Sequence, residues 1–530
     1  MGMKQKTIVL NGIDLTIQQV RQIAREQTYI EICPDALSKV KAARKIVDDM
    51  LQDDKTIYGL NRGVGGNKDI AIPKHKLPEF NLNLLLSHAV ATGDPMSVED
   101  VRAMMTVRLN SWLLGYTGIH PEIVLLLKDF INFGIHPIIP AQGSVGVSDL
   151  AFLAHLGLAL LGHGDVLFQG VTLKAIVAIH KAGLQVATLC PKDGLSIVSA
   201  NSYSSGKGAI LLADIIDFLD TADMIYSLSL EGFHANMNTL DRSLEKTKSF
   251  PGQHLSIENV RSYLRGSYLW NTDKLKAIQD PLSFRSACHI HGSVRDAVMS
   301  VVEYLHIQLQ SSDDNPVVMI EEKRIQGSAN FEVTNWVLGF EMIGIAFSHL
   351  SKSSCFRSIK LGMPSFTKLT RFLSPKDSIY HGFGTIQKTF SSLDAEIRHL
   401  ANPISSDYIS IAADMEDHAT NAPYVIQKTT KMLDNLYKIL AIEALHAAQA
   451  IDLRNGIRLG VGTQKIYEII RSEVPFLDRD RNLSIDIHKI YNLLKSGQLK
   501  AEFENKQQEQ RSSFPLYQRQ KGEEFINEVY

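Results

Sequence analysis

Two long runs constrain the fold more than any other feature of the chain. In KGAILLADIIDFLDTADMIYSLSLEG (207–232), Leu212, Ile215, Ile216, Leu219 and Ala222 recur at helical spacing; in KMLDNLYKILAIEALHAAQAID (431–452), Leu433, Leu436, Leu440 and Ala444 do the same. A third run, FEVTNWVLGFEMIGIAFSHL (331–350), reads alike. Helices this long with apolar faces this wide must be covered by other helices, from the same chain or from another subunit. The pattern predicts a mainly α fold: an elongated bundle of long central helices with a smaller, mixed N-terminal region. The expected division is 1–200 for the N-terminal region, 201–480 for the helix bundle and 481–530 for a C-terminal segment packed on it.

Composition narrows the class of function. With 45% hydrophobic and 21% charged residues, the chain has the material for a large soluble core. Its 55 basic and 57 acidic residues nearly cancel, leaving no global field to draw in nucleic acid or an anionic membrane. A small-molecule substrate is the expectation that remains. Cys33, Cys190, Cys288 and Cys355 show no paired spacing, which argues against a disulfide scaffold or a zinc ribbon and for a reducing, cytoplasmic setting. The opening MGMKQKTIVLNGIDL has no signal-peptide pattern, and no apolar run reaches the roughly 18 residues of a membrane span.

Along the chain, TIVLNGIDLTIQQVRQIARE predicts a short strand, a turn and a helix beginning near Thr16. YGLNRGVGG (58–66) is a loop, since its four glycines permit backbone shapes closed to other residues. It lacks the spacing of a dinucleotide-binding turn. AEFENKQQEQRSS (501–513) reads as a surface segment. In CHIH (288–291), His289 and His291 diverge on a helix, so no metal site is expected. GSVGVSDLAFLAH (143–155) places a Gly-Ser turn among apolar residues, and one reading of Ser148 is an N-cap for the helix that follows.

With YGLNRGVGG before it and QDPLSFR, DDNP and MEDH after it, GSVGVSDLAFLAH resembles the corresponding segment of the aromatic amino acid ammonia-lyases, with the histidine-specific branch nearest. The resemblance implies a helical homotetramer whose active sites are assembled from several subunits, acting on a small amino acid. It also implies a 4-methylideneimidazol-5-one electrophile, formed without metal when an Ala-Ser-Gly tripeptide cyclises and loses water. Here that tripeptide is replaced by Val147-Ser148-Asp149, one residue shorter and without the glycine, so the attacking nitrogen would be that of Asp149. A Cβ at that position restricts the backbone shape that ring closure requires.

The family motifs then assign roles by position. Tyr58 matches the tyrosine that removes the substrate's β-proton; a phenol with a reference pKa of about 10 needs stabilisation to serve as a base, and Arg62, where the family has threonine, is a candidate to supply it. Arg285 matches the carboxylate anchor, suited to a bidentate pair, and Gln279 another site-lining position. Leu282 stands where a catalytic tyrosine is usual. His88 and Glu416 match the positions that read an imidazole side chain. Ser199 replaces a substrate-contacting asparagine, with Asn201 two residues on as a weak substitute; Phe331 matches a pocket wall, and Arg398 a position often held by lysine. The leading expectation is elimination of ammonia from histidine or a histidine-like amino acid, giving an αβ-unsaturated acid such as urocanate. An aminomutase is a close variant. The alternative is a relative that has lost the electrophile and binds a ligand or catalyses a different reaction.

Overall fold

The computed structural model describes residues 7–53, 55–271, 277–375 and 379–503; most of the polar segment at 501–513 lies outside them. The three runs of helical apolar spacing fall on the long helices Ser202–Phe233, Thr334–Leu361 and Ala422–Arg454, and a fourth long helix, Ala287–Leu309, lies outside those runs. The fold is mainly α, with only short strands beside the helices. No helix among the described residues is long and apolar enough to cross a membrane.

The N-terminal strands Thr7–Leu10 and Tyr29–Ile32 pair in parallel, joined by the Ile17–Arg25 helix. That helix starts as its sequence dictates: the Thr16 hydroxyl accepts from the Gln19 amide, and the Gln19 side chain accepts from the Thr16 amide. The Val98–Leu113 helix is buried around most of its circumference, two arginines included. Both arginines are satisfied by carbonyls: Arg102 reaches those of Ile23 and Ile131, and Arg108 those of Ser196 and Ile197. Burial pulls both guanidinium groups down to about 10.

Contacts divide the chain into two units. The first comprises 1–213, 301–340 and 403–427; the second comprises 214–300, 341–402 and 428–530. In the second unit, buried charges on the long helices are paired rather than absent. Arg357 makes a two-pronged contact with Glu443 at 2.6 and 2.8 Å, and Ser229 adds a third donor to that carboxylate. Asp223 accepts from Ser256, Asn259, His291 and Arg295. His291 of the CHIH stretch is thereby taken up by a carboxylate inside the helix packing. Removing either member of such a pair would strand a buried charge at about 3–5 kcal/mol.

Candidate active site

The first unit encloses a cavity of about 620 Å³. Seven of the expected site residues line it: Tyr58, His88, Val147, Ser148, Ser199, Phe331 and Glu416. They come from separate stretches of chain, and each is placed by local chemistry.

Tyr58 opens the glycine loop, which doubles back so that the tyrosine hydroxyl accepts a 3.0 Å hydrogen bond from the Gly65 amide. Gly65 has φ +53°, and a Cβ at Gly63 would lie 2.3 Å from the Asn67 carbonyl oxygen, so the close turn requires these glycines. Arg62 does not support the phenol. Its guanidinium turns to the Asp69 carbonyl at 3.1 Å and toward the Thr56 hydroxyl, because residue 62 bridges to Ala71 and carries the side chain with it. A backbone amide therefore occupies the role expected of the arginine.

His88 ends the Leu77–His88 helix with Nδ1 2.7 Å from the Leu84 carbonyl oxygen. A carbonyl only accepts, so Nδ1 carries the proton and Nε2 is left with a lone pair for an N–H donor. Glu416 arrives on a tight hairpin closed by the reciprocal backbone bonds of Ile411 and Glu416, with Ala412, Ala413 and Asp414 all left-handed at φ 54°, 56° and 60°. A ring acceptor and a carboxylate thus border one cavity, the pair of functions that a ring with two N–H groups can use.

The 143–149 turn is the most heavily constrained part of the wall. Gly146 has φ +83°, and a Cβ there would meet the Ala422 amide nitrogen at 2.9 Å. Ser148 is left-handed at φ +57° and borders the cavity, but it caps nothing: the N-cap of the Leu150–Leu160 helix is Asp149, without a side-chain capping bond. Asp149 faces away from that helix and is fully buried. Its carboxylate accepts from the Ser204 amide at 2.9 Å, the Ser204 hydroxyl at 3.1 Å and the Ser144 hydroxyl at 2.9 Å. Burial raises its pKa to about 6, with these hydrogen bonds pulling the other way. Its amide donates to the Ala200 carbonyl at 2.6 Å.

That geometry bears on the electrophile. Ring closure of the family's kind would direct the Asp149 nitrogen at the Val147 carbonyl carbon and strip the nitrogen of its proton. The proton is committed to Ala200, and the side chain is pinned by three donors, two from Ser204 at the start of the Ser202–Phe233 helix and one from Ser144. Val147-Ser148-Asp149 does not fit the group.

Asn201 serves as a strut and is not among the lining residues. It is fully buried, its amide nitrogen donates to the Phe331 carbonyl at 2.8 Å, and its backbone donates to Asp313. Ser199 reaches the cavity, its hydroxyl accepting from the Asn315 amide at 3.2 Å. Arg285, Gln279 and Leu282 belong to the second unit and are not among the lining residues. There Arg285 donates to Gln279 at 2.7 Å, and Leu282 is 63% exposed. Arg398 pairs with Asp394 at 2.9 Å, its side chain 58% exposed.

Among the lining residues that were not anticipated, two carry polar groups of note, Asn315 and Lys68. Asn315 lies in the DDNP motif, which signalled it. Lys68 follows the glycine loop and brings an ammonium to the wall; its ion pair with the exposed Asp69 is loose at 3.4 Å.

The helical fold and this cavity, with a phenol, an imidazole and a carboxylate on its wall, suit proton abstraction from a small polar substrate. A family model described as aromatic amino acid lyase matches residues 15–472, and the chain belongs to that family. It is a carbon–nitrogen lyase. Histidine ammonia-lyase of Myxococcus xanthus is 34% identical over 501 residues, 94% of this chain and 99% of that protein. Among solved structures, the ergothioneine-degrading enzyme ergothionase from Treponema denticola, in complex with desmethyl-ergothioneine sulfonic acid, is similar at 45% identity and TM-score 0.91, covering 93% of this chain and 99% of that one. Histidine ammonia-lyase from Trypanosoma cruzi is similar at 29% identity and TM-score 0.86, covering 93% and 94%.

Proposed function

We propose that this lyase eliminates trimethylamine from a histidine-derived betaine of the ergothioneine type, and does so without a methylideneimidazolone. The observation that carries the reading is the commitment of Asp149, amide and carboxylate together, beside Ser148. The electrophile serves an ordinary ammonia-lyase by alkylating a primary amine, which leaves poorly. A quaternary ammonium is already alkylated and departs as a neutral amine, so a chain that acts on a betaine has no need of the ring. The 45% identity to ergothionase supports the same substrate class.

In this reading Tyr58 reacts as the phenolate, its oxygen held by the Gly65 amide, and takes a proton from the substrate's Cβ to become the phenol. The released electron pair forms the Cα–Cβ double bond while the Cα–N bond breaks and its pair leaves on nitrogen. The proton on Tyr58 then passes to the amine. The products are an imidazolyl αβ-unsaturated carboxylate and trimethylammonium. His88 Nε2 and Glu416 accept from the ring N–H groups, and Lys68 faces a polarisable or anionic substituent on the ring, such as the sulfur of a 2-thioimidazole. Ser199 in place of asparagine is smaller at the amine end, which suits three methyl groups, and Leu282 in place of tyrosine, supplied like Arg285 by a neighbouring copy, would be less polar there. Arg285 from a neighbouring copy in a homotetramer would hold the carboxylate. We place the reaction in the cytoplasm, in keeping with four free cysteines.

The test pairs a mass with an assay. Intact mass of the purified protein should equal the translated mass, and ergothioneine should give trimethylamine and a new near-ultraviolet absorbance while histidine gives nothing. Loss of two waters that Ser148→Ala abolishes, together with release of ammonia from histidine, would instead establish the second reading, an ordinary histidine ammonia-lyase, which the 34% identity to such enzymes favours.

A further inference from the structure

A second, smaller chamber of about 230 Å³ lies beside the reaction cavity in the first unit. The two share Val147, Phe331, Met415 and Glu416 as a common wall. Its chemistry differs from that of the main cavity. Glu332, Glu416 and Asp417 border it, and among the described residues no lysine or arginine does. The basic group beside these acids is His418, an imidazole rather than a permanent cation, with Nε2 3.5 Å from a Glu332 oxygen. Thr420, only 2% exposed, carries a buried hydroxyl with no hydrogen-bond partner. That hydroxyl sits against Gly146 of the chamber wall, where a Cβ would lie 2.7 Å from it. Carboxylates and the Phe331 ring on its wall, with the unpaired Thr420 hydroxyl packed behind Gly146, make a site for a small ammonium ion.

We propose that this chamber receives the amine leaving group as an alkylammonium cation and conducts it past Glu332 and Asp417 to solvent. Every carbon–nitrogen lyase has to separate its two products, or the amine adds back to the new double bond. A pocket that shares a wall with the reaction cavity and carries the opposite charge to the departing cation removes it from the unsaturated acid. Glu332 and His418 are partly exposed, with side chains 41% and 64% accessible, which places the far side of the chamber at the surface. The inference takes only the identity of the cation, trimethylammonium, from the elimination reading above.

Because the test measures binding, it needs no turnover. Ligand-observed nuclear magnetic resonance with the full chain should show saturable binding of trimethylammonium chloride that potassium chloride at equal ionic strength does not displace. Glu332→Gln keeps the oxygen that accepts from the Thr334 amide and hydroxyl, and Asp417→Asn is nearly isosteric. The pair of substitutions should weaken trimethylammonium binding about tenfold while leaving the unfolding midpoint and the affinity for desmethyl-ergothioneine sulfonic acid unchanged. The proposal is overturned if trimethylammonium shows no saturable binding, if the double variant binds it undiminished, or if both ligands are lost in step, since the acids then belong to the substrate cavity. Failure of the betaine reading shows differently: the sulfonic acid fails to bind the wild-type chain while the cation still does.

Discussion

At the scale of single residues, the site is a set of side chains whose hydrogen-bond partners decide what they can do. Tyr58 is the clearest case. Its oxygen is an acceptor in the free protein, receiving the Gly65 amide, and that bond strengthens as negative charge builds on the phenol. Tyr58→Phe removes the proton acceptor and keeps the ring, so kcat should fall by about a hundredfold to ten-thousandfold with KM nearly unchanged, as steady-state assays with the betaine will show. A loss confined to KM would make Tyr58 a binding residue only. Tyr58, His88 and Glu416 were legible from motif position, because each lies in a short stretch whose spacing is distinctive. Arg62 was not: its place beside the tyrosine in sequence says nothing of the bridge to Ala71 that turns it away. Asn201 shows a related limit of sequence order, since an amide near a site can hold the backbone of its wall, here the Phe331 carbonyl.

At the scale of elements, Asp149 ties two helices together. It occupies the cap position of the Leu150–Leu160 helix, yet its carboxylate serves the first turn of the Ser202–Phe233 helix. Helix spacing predicts both elements, but a bond between their beginnings joins residues far apart in sequence, and nothing in the local pattern of either announces it. The raised pKa of about 6, against 3.8 for an unperturbed carboxyl, makes the bond testable. A folded state that holds a proton more tightly than the unfolded chain gains stability from it below about pH 4 and loses that gain as pH rises through about 6. Asp149→Asn carries no such proton. Apparent unfolding midpoints at a fixed scan rate should therefore show the wild-type advantage over Asp149→Asn shrinking between about pH 4 and 6 and levelling off above. Parallel curves across that window would show that Asp149 titrates as it does in the unfolded chain.

For the whole molecule, among the described residues no arginine lines the cavity of the first unit, while Arg285 in the second unit has a buried Nε without a hydrogen-bond partner among them. Unpartnered apolar surface points the same way: Met342, Ile345 and Phe356 of the Thr334–Leu361 helix are 41%, 47% and 45% exposed, a stripe that a monomer would leave wet. The width of the apolar faces already asked for partners; which copy meets which is a property of surfaces, and residue order does not record it. If Tyr58 of one copy works with Arg285 of another, two dead variants can repair each other. Tyr58→Phe and Arg285→Ala should each be nearly inactive, and co-expression in equal amounts should restore about a quarter of the wild-type sites, because random assembly unites an intact Tyr58 with an intact Arg285 at that frequency. Mixing the separately purified variants without dissociation should restore nothing, which controls for residual activity. If the co-expressed protein migrates at the mass of several chains and still turns over no substrate, Tyr58 and Arg285 act within one copy, and the shared-site assembly falls.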